Sequence, residues 1–165
     1  AYMSLFQTYA RIGQHLTPAQ ASLAFGCFGI GNILGGMPIG ILLDRTDRFR
    51  GVAILSALTG LTGAALFLWS LHETSAIVLS LIFGVGIGGI YGNCYALARE
   101  NAPATRAALA IGILLTVYYL AASTSGYVFV LAMGDDFTAN LRGALLMFLL
   151  PYMLAAGVMF ATKRP

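Results

Sequence analysis

Gly40-Ile41-Leu42-Leu43-Asp44-Arg45-Thr46-Asp47-Arg48-Phe49-Arg50 places five charged residues in the seven positions from 44 to 50. On either side the chain is almost wholly apolar. Such a cluster belongs in water or in the headgroup layer, because a charged side chain at the bilayer centre costs about 3 kcal/mol or more. The stretch therefore reads as a short turn joining two membrane-buried helices, and that reading decides the fold class.

Composition agrees. Charged residues make up 9% of the 165 residues and apolar ones 59%, against about 25% and 45–50% in soluble domains. So few charges could not cover a water-soluble surface of this size, and the chain reads as an all-α integral membrane protein. The net charge of +3 is small and the bases sit at helix ends. Membrane lipid is therefore the expected neighbour, and nucleic acid is not an expected partner. Cys27 and Cys94 lie inside apolar runs without metal-ligand spacing, so they read as buried thiols. No metal and no cofactor is expected.

A helix needs about 20 apolar residues to cross the hydrocarbon core. Five segments qualify: 19–43, 52–71, 75–98, 104–133 and 141–161. Residues 1–12 are too short to span. They carry no basic n-region or cleavage site and read as the remaining end of a longer helix, so the chain is expected to be a fragment. Thr17-Pro18-Ala19-Gln20 spells a helix start, with Thr17 as cap, Pro18 in the first turn and Gln20 reaching back. Pro38 and Pro151 fall inside spans and are expected to kink them.

With the turn at Asp44–Arg50 on the cytoplasmic side, alternation puts Arg45, Arg48, Arg50, Arg99, Arg106, Lys163 and Arg164 there. Arg11 and Arg142 fall outside. This is a positive-inside bias, with a cytoplasmic C-terminus and Trp69 near the outer interface.

The turn also resembles the signature loop of the major facilitator superfamily of secondary transporters. The resemblance rests on Gly40, Leu42, Asp44, Arg45, Arg48 and Arg50, with Asp47 where the pattern often has Gly. Arg99-Glu100, followed by Pro103 and Arg106, looks like the loop after the family's fourth or tenth helix, about fifty residues further on. The resemblance covers essentially the whole chain. It implies half of such a transporter, five complete helices plus one partial. Because the chain stops at Lys163-Arg164-Pro165, just after its last helix, residues 1–165 read as the C-terminal half, with 1–12 the end of helix seven. The implied activity is alternating-access transport of a small solute, with the missing N-terminal half as partner. A bacterial inner membrane is the implied location.

The same family logic makes Gly40, Asp44, Arg45, Arg48 and Arg50 a gating loop, with Arg99, Glu100 and Arg106 in a second cytoplasmic loop. Such a latch would form when the protein is open outward and break when it opens inward. The alternative is a positive-inside anchor.

Polar residues inside spans are costly and face a cavity or a partner helix. Gly112, Thr116, Tyr119, Ser123 and Tyr127 share one helical face, with positions 114 and 118 outside it. Gly84, Gly88, Tyr91 and Tyr95 share another, with Asn93 nearly opposite. Asn32, Tyr91, Tyr95, Thr116, Tyr119 and Ser123 are therefore the candidate substrate wall, and hydrogen bonding within or between helices is the alternative for each.

Gly31-x-x-x-Gly35, Gly36-x-x-x-Gly40 and Gly84-x-x-x-Gly88 predict close helix approach. No Asp, Glu, His, Lys or Arg lies in the middle of a complete span, so any proton-coupling group is expected outside these spans. A non-transporting receptor or scaffold on the same fold is the other reading. An intramembrane enzyme is disfavoured, since no nucleophile–base pair, metal set or carboxylate pair occurs at membrane depth.

Overall fold

A computed structural model describes residues 9–68, 72–134, 137–147 and 149–162; of these, the side chains of 137–139 and 142 are left undescribed. Residues 1–8, Trp69, Lys163 and Arg164 lie outside the described residues, and so does the side chain of Arg142. A helical stretch over 9–12 is followed by α1 (Pro18–Leu43), α2 (Arg48–Leu68) and α3 (Glu73–Glu100). A 3-10 turn (Ala104–Arg106) leads into α4 (Ala107–Met133), and α5 (Phe137–Met147) and α6 (Leu150–Ala161) complete the chain. No strand occurs among the described residues. The helices α1, α2 and α3 and the runs Ala104–Met133 and Gly143–Ala161 are each long and apolar enough to cross a membrane. The chain is an all-α integral membrane protein.

Two boundaries differ from the sequence reading. The span expected over 141–161 carries two helical elements, the end of α5 and all of α6, within the run Gly143–Ala161 that is long enough to cross. Pro151 lacks the N–H that would bond back into the preceding turn. Leu149 N–H instead donates to Leu146 O at 2.9 Å, and α6 starts afresh with Pro151 in its first turn. The charged turn is also shorter than its charges suggest, because Arg48, Phe49 and Arg50 already belong to α2. Pro38 stays inside α1.

The helix starts are built as their residues demand. Thr17 and Gln20 form a reciprocal capping box, Gln20 N–H to Thr17 Oγ1 at 3.4 Å and Thr17 N–H to Gln20 Oε1 at 2.9 Å. Gln20 Nε2 then donates to Glu73 Oε2 at 2.6 Å, which ties the starts of α1 and α3 together, so these two helices run parallel. At the other end of α4, Gly134 closes the helix at φ 56° and ψ −148°, a conformation that is essentially glycine-only.

Packing between α1 and α3 is backbone on backbone. A Cβ at Gly31 or Gly35 would meet the carbonyl oxygens of Leu81 or Val85. One at Gly84 or Gly88 would meet those of Phe28 or Asn32. In lipid the hydrophobic effect does not drive helices together, so this close approach supplies dispersion and Cα–H···O contacts instead. Gly36 and Gly40 do not take part in the same way: nothing lies within 4 Å of a Cβ at Gly40.

The antiparallel α2 uses Thr59 against Gly86, and its Gly60 and Gly63 receive Met153 and Leu149. An aromatic run closes the core: Tyr9–Phe67 at 5.1 Å, Phe67–Phe83 at 6.3 Å and Phe83–Phe28 at 6.0 Å between ring centroids.

The last carbonyls of a helix have no partner within it. At the end of α2 two buried side chains from the preceding segment supply them. Tyr9 Oη donates to Phe67 O at 2.9 Å, while Gln14 Nε2 donates to Leu66 O at 2.9 Å and to Tyr9 Oη at 2.8 Å. Tyr9→Phe keeps the ring but strands Phe67 O and half of Gln14. We expect it to destabilise the full-length protein by about 1–3 kcal/mol, read from the midpoint of denaturant unfolding in micelles. An unchanged midpoint would remove the network from the account of stability.

Candidate functional site

The charged turn is held by its own backbone bonds. Asp44 N–H donates to Gly40 O at 2.9 Å, which finishes α1. Asp47 starts α2 as its cap, accepting from Arg50 N–H through Oδ1 at 3.2 Å. The position that the family pattern often fills with Gly therefore carries a capping carboxylate. Such a carboxylate suits the positive end of the helix.

Arg48, in the first turn of α2, reaches two carboxylates at once. Its guanidinium pairs with Asp44 at the end of α1 and with Glu100 at the end of α3. The Arg48 side chain is only 15% exposed, whereas those of Asp44 and Glu100 are 56% and 53% exposed. A cation on a short helix-start segment thus links three helix ends, and a polar cavity of about 270 Å³ lies beside it, walled in part by Thr46 and Leu97. Arg50 pairs with Asp47 at 3.3 Å in the open. Arg45, Arg99 and Arg106 are exposed.

A second cavity, of about 260 Å³, lies between α3, α4 and α6. Its wall includes Tyr91, Cys94 and Tyr95 of α3, Leu114 and Tyr118 of α4, and Tyr152 of α6. The rings meet edge to face: Tyr95–Tyr91 at 4.9 Å, Tyr91–Tyr118 at 5.2 Å and Tyr118–Tyr119 at 5.4 Å.

A sequence profile of the Major Facilitator Superfamily matches residues 1–165. The chain belongs to the major facilitator superfamily. It is also 34% identical over 100 residues to a Haemophilus influenzae protein described as a "Putative metabolite transport protein". The aligned stretch is 58% of this chain and 23% of that relative, so the chain spans only part of the relative's length.

In this superfamily member the six residues chosen from sequence as a substrate wall divide into groups. Tyr91 and Tyr95 line the aromatic cavity. Tyr119 touches that cluster through Tyr118 and is 60% exposed. Thr116 and Ser123 are exposed, their hydroxyls bonded back to Gly112 O at 2.9 Å and Leu120 O at 3.0 Å. Asn32 is half-buried, its backbone against Gly84 and Gly88. Asn93, on the opposite side of α3, is buried and donates to Gly89 O at 2.8 Å.

The face that α4 turns inward carries Leu114, Tyr118, Phe129 and Met133. Positions 114 and 118, left outside the polar stripe by the sequence reading, therefore line the same cavity as Tyr91 and Tyr95. The stripe from Gly112 to Tyr127 points away from the described helices.

Sequence reasoning missed three features here: the pairing of Arg48 with Glu100, the capping role of Asp47, and the contribution of Tyr118 and Tyr152. Only Asp47 had a local signal, a carboxylate three residues before an unpaired helix-start N–H.

Proposed function

We propose that the chain is the C-terminal half of a secondary transporter that moves a small solute by alternating access, and that the Asp44–Arg48–Glu100 cluster is its cytoplasmic latch. The observation that carries this reading is the single guanidinium held by two carboxylates from the two loops that resemble the family's signature. Family membership and the relative's description as a transport protein support it. Arg48 Nε is buried without a hydrogen-bond partner among the described residues.

The open face of α4 carries a row of hydroxyls in a helix that is otherwise apolar. In this fold class solute binds near the bilayer midplane between the halves, so Thr116, Tyr119 and Ser123 would face the solute together with Asn32, Tyr91 and Tyr95. The membrane would be a bacterial inner membrane with the C-terminus in the cytoplasm, which puts Arg45, Arg48, Arg50, Arg99 and Arg106 on the positive-inside side. Lipid headgroups would then meet the exposed arginines.

The test is solute uptake by the full-length protein in liposomes. Asp44→Asn keeps the shape of the side chain but removes one of the two charges on Arg48. Uptake is expected to slow by about ten-fold, the effect of a coupling near 1.4 kcal/mol, with membrane insertion unchanged. Unchanged uptake would reduce the cluster to a topological anchor.

A further inference from the structure

The cavity between α3, α4 and α6 has a chemistry that the transport reading leaves unspecified. Its wall is aliphatic and aromatic, with Tyr91, Tyr95, Tyr118, Tyr152 and Cys94 as its residues bearing a polar group, and none of the described residues that line it is charged. We propose that this cavity is a binding site for one small, uncharged aromatic ring bearing a hydrogen-bonding substituent.

Three observations point to that class. First, a cavity of about 150 Å³ is enough to take benzene. The 260 Å³ here therefore suits a substituted ring or a fused bicycle. Second, Tyr91 meets Tyr95 at an interplanar angle of 87° and Tyr118 at 65°. Edge-to-face pairing is the geometry in which aromatic rings attract one another, and a further ring can extend the series. Third, among the described residues no carboxylate or base lines the wall, so a charged ligand would meet no counter-charge from them. Phenol hydroxyls both donate and accept, so one polar substituent on the ring can be satisfied.

The cavity lies towards one end of the three helices that form it. Cys94 lies six residues before the end of α3 at Glu100, Leu114 seven after the start of α4 at Ala107, and Tyr152 nine before the end of α6 at Ala161. At 1.5 Å per residue the cavity sits about 10 Å inside the helix ends.

As a statement about cargo, this inference rests on reading Tyr91 and Tyr95 as part of the substrate wall. Occupancy, however, is measured without transport, so failure of uptake and failure of binding are separate results. In the full-length protein, with every cysteine except Cys94 replaced by serine, mixed-disulfide formation at Cys94 by a small methanethiosulfonate reagent, which releases methanesulfinate, is timed with and without a probe. Indole, neutral and bicyclic with one N–H, is expected to slow the reaction about ten-fold near saturation. Cyclohexanol and tetramethylammonium should leave it unchanged.

Tyr118→Ala should abolish most of the indole protection, and Tyr118→Phe should retain it. Should Tyr118→Ala fail to fold, Leu114→Trp provides the second reading: filling the cavity from α4 should slow modification of Cys94 with no probe present. Protection by cyclohexanol equal to that by indole would overturn the aromatic class. Protection by tetramethylammonium in place of indole would overturn the uncharged class. No protection by indole, with Leu114→Trp reacting at the parent rate, would overturn the site.

Discussion

Gly35→Ala is expected to loosen the α1–α3 pair, and Gly35→Leu to prevent it from forming. The added Cβ would fall on the main chain of Val85, meeting its carbonyl oxygen, carbonyl carbon and Cα. Backbone in a packed helix cannot swing aside as a long side chain can, so the helices must separate along their length. Overpacking of this kind costs about 1–3 kcal/mol for one added group, and more for leucine. Gly88→Ala should behave alike, because its Cβ would meet the main chain of Asn32. The control is Gly26→Ala, where a Cβ finds nothing within 4 Å; such a change should stay within about 0.5 kcal/mol. The measurement is the temperature at which the purified full-length protein loses its monodisperse elution peak. Equal shifts for Gly35→Ala and Gly26→Ala would mean that close approach of α1 and α3 does not set the stability of this bundle.

The contrast between Gly35 and Gly40 also shows what the sequence could and could not say about the fold. Both glycines stand in a small-x-x-x-small pair. That spacing says a close neighbour is permitted, and only the arrangement of the other helices says whether one is there. The spans themselves were legible, since a run of apolar residues long enough to cross a bilayer has few other uses. Thr17, Pro18 and Gln20 marked a helix start because capping is a local reaction between side chain and backbone. The break before α6 was less visible. The hydropathy of 141–161 is continuous, and a proline in a membrane span is compatible with either a kink or a new helix start.

At the site, residue types were legible and partners were not. The charge run 44–50 announced a turn, yet Arg48 belongs to α2 as well, and its second partner Glu100 is 52 residues away in sequence. No local pattern encodes a contact at that distance. The tyrosine wall shows the same limit. Helical spacing grouped Thr116 with Tyr119 and Ser123, but the cavity between α3 and α6 takes the opposite edge of α4, with Leu114 and Tyr118. Apolar periodicity was weak there, because α4 is apolar nearly all round and its stripes differ only by a few hydroxyls.

Removing Arg48 should separate a latch from an anchor. In Arg48→Ala the carboxylates of Asp44 and Glu100 lose their shared cation but remain about half exposed and hydrated. With the carboxylates about half exposed each pair contributes only about 0–1 kcal/mol to folding, and losing the mostly buried Arg48 side chain removes some packing as well, so thermal stability of the full-length protein should fall modestly. A conformational equilibrium is more sensitive, since about 1.4 kcal/mol of differential stabilisation moves it ten-fold. Uptake is therefore expected to fall by about ten-fold, and Glu100→Gln should give a similar loss. The double variant Arg48→Ala/Glu100→Gln should be no worse than either single one, because both remove the same contact. The deficit should also narrow near 1 M salt, where the Debye length is about 3 Å and the parent contact itself is weakened. Arg48→Lys is the decisive comparison. Lysine keeps the positive charge that topology requires but lacks the planar fork that spans two carboxylates. A latch predicts that Arg48→Lys transports poorly, close to Arg48→Ala. An anchor predicts parent-like uptake, and that result would leave Asp44 and Glu100 as helix-end charges with no part in gating.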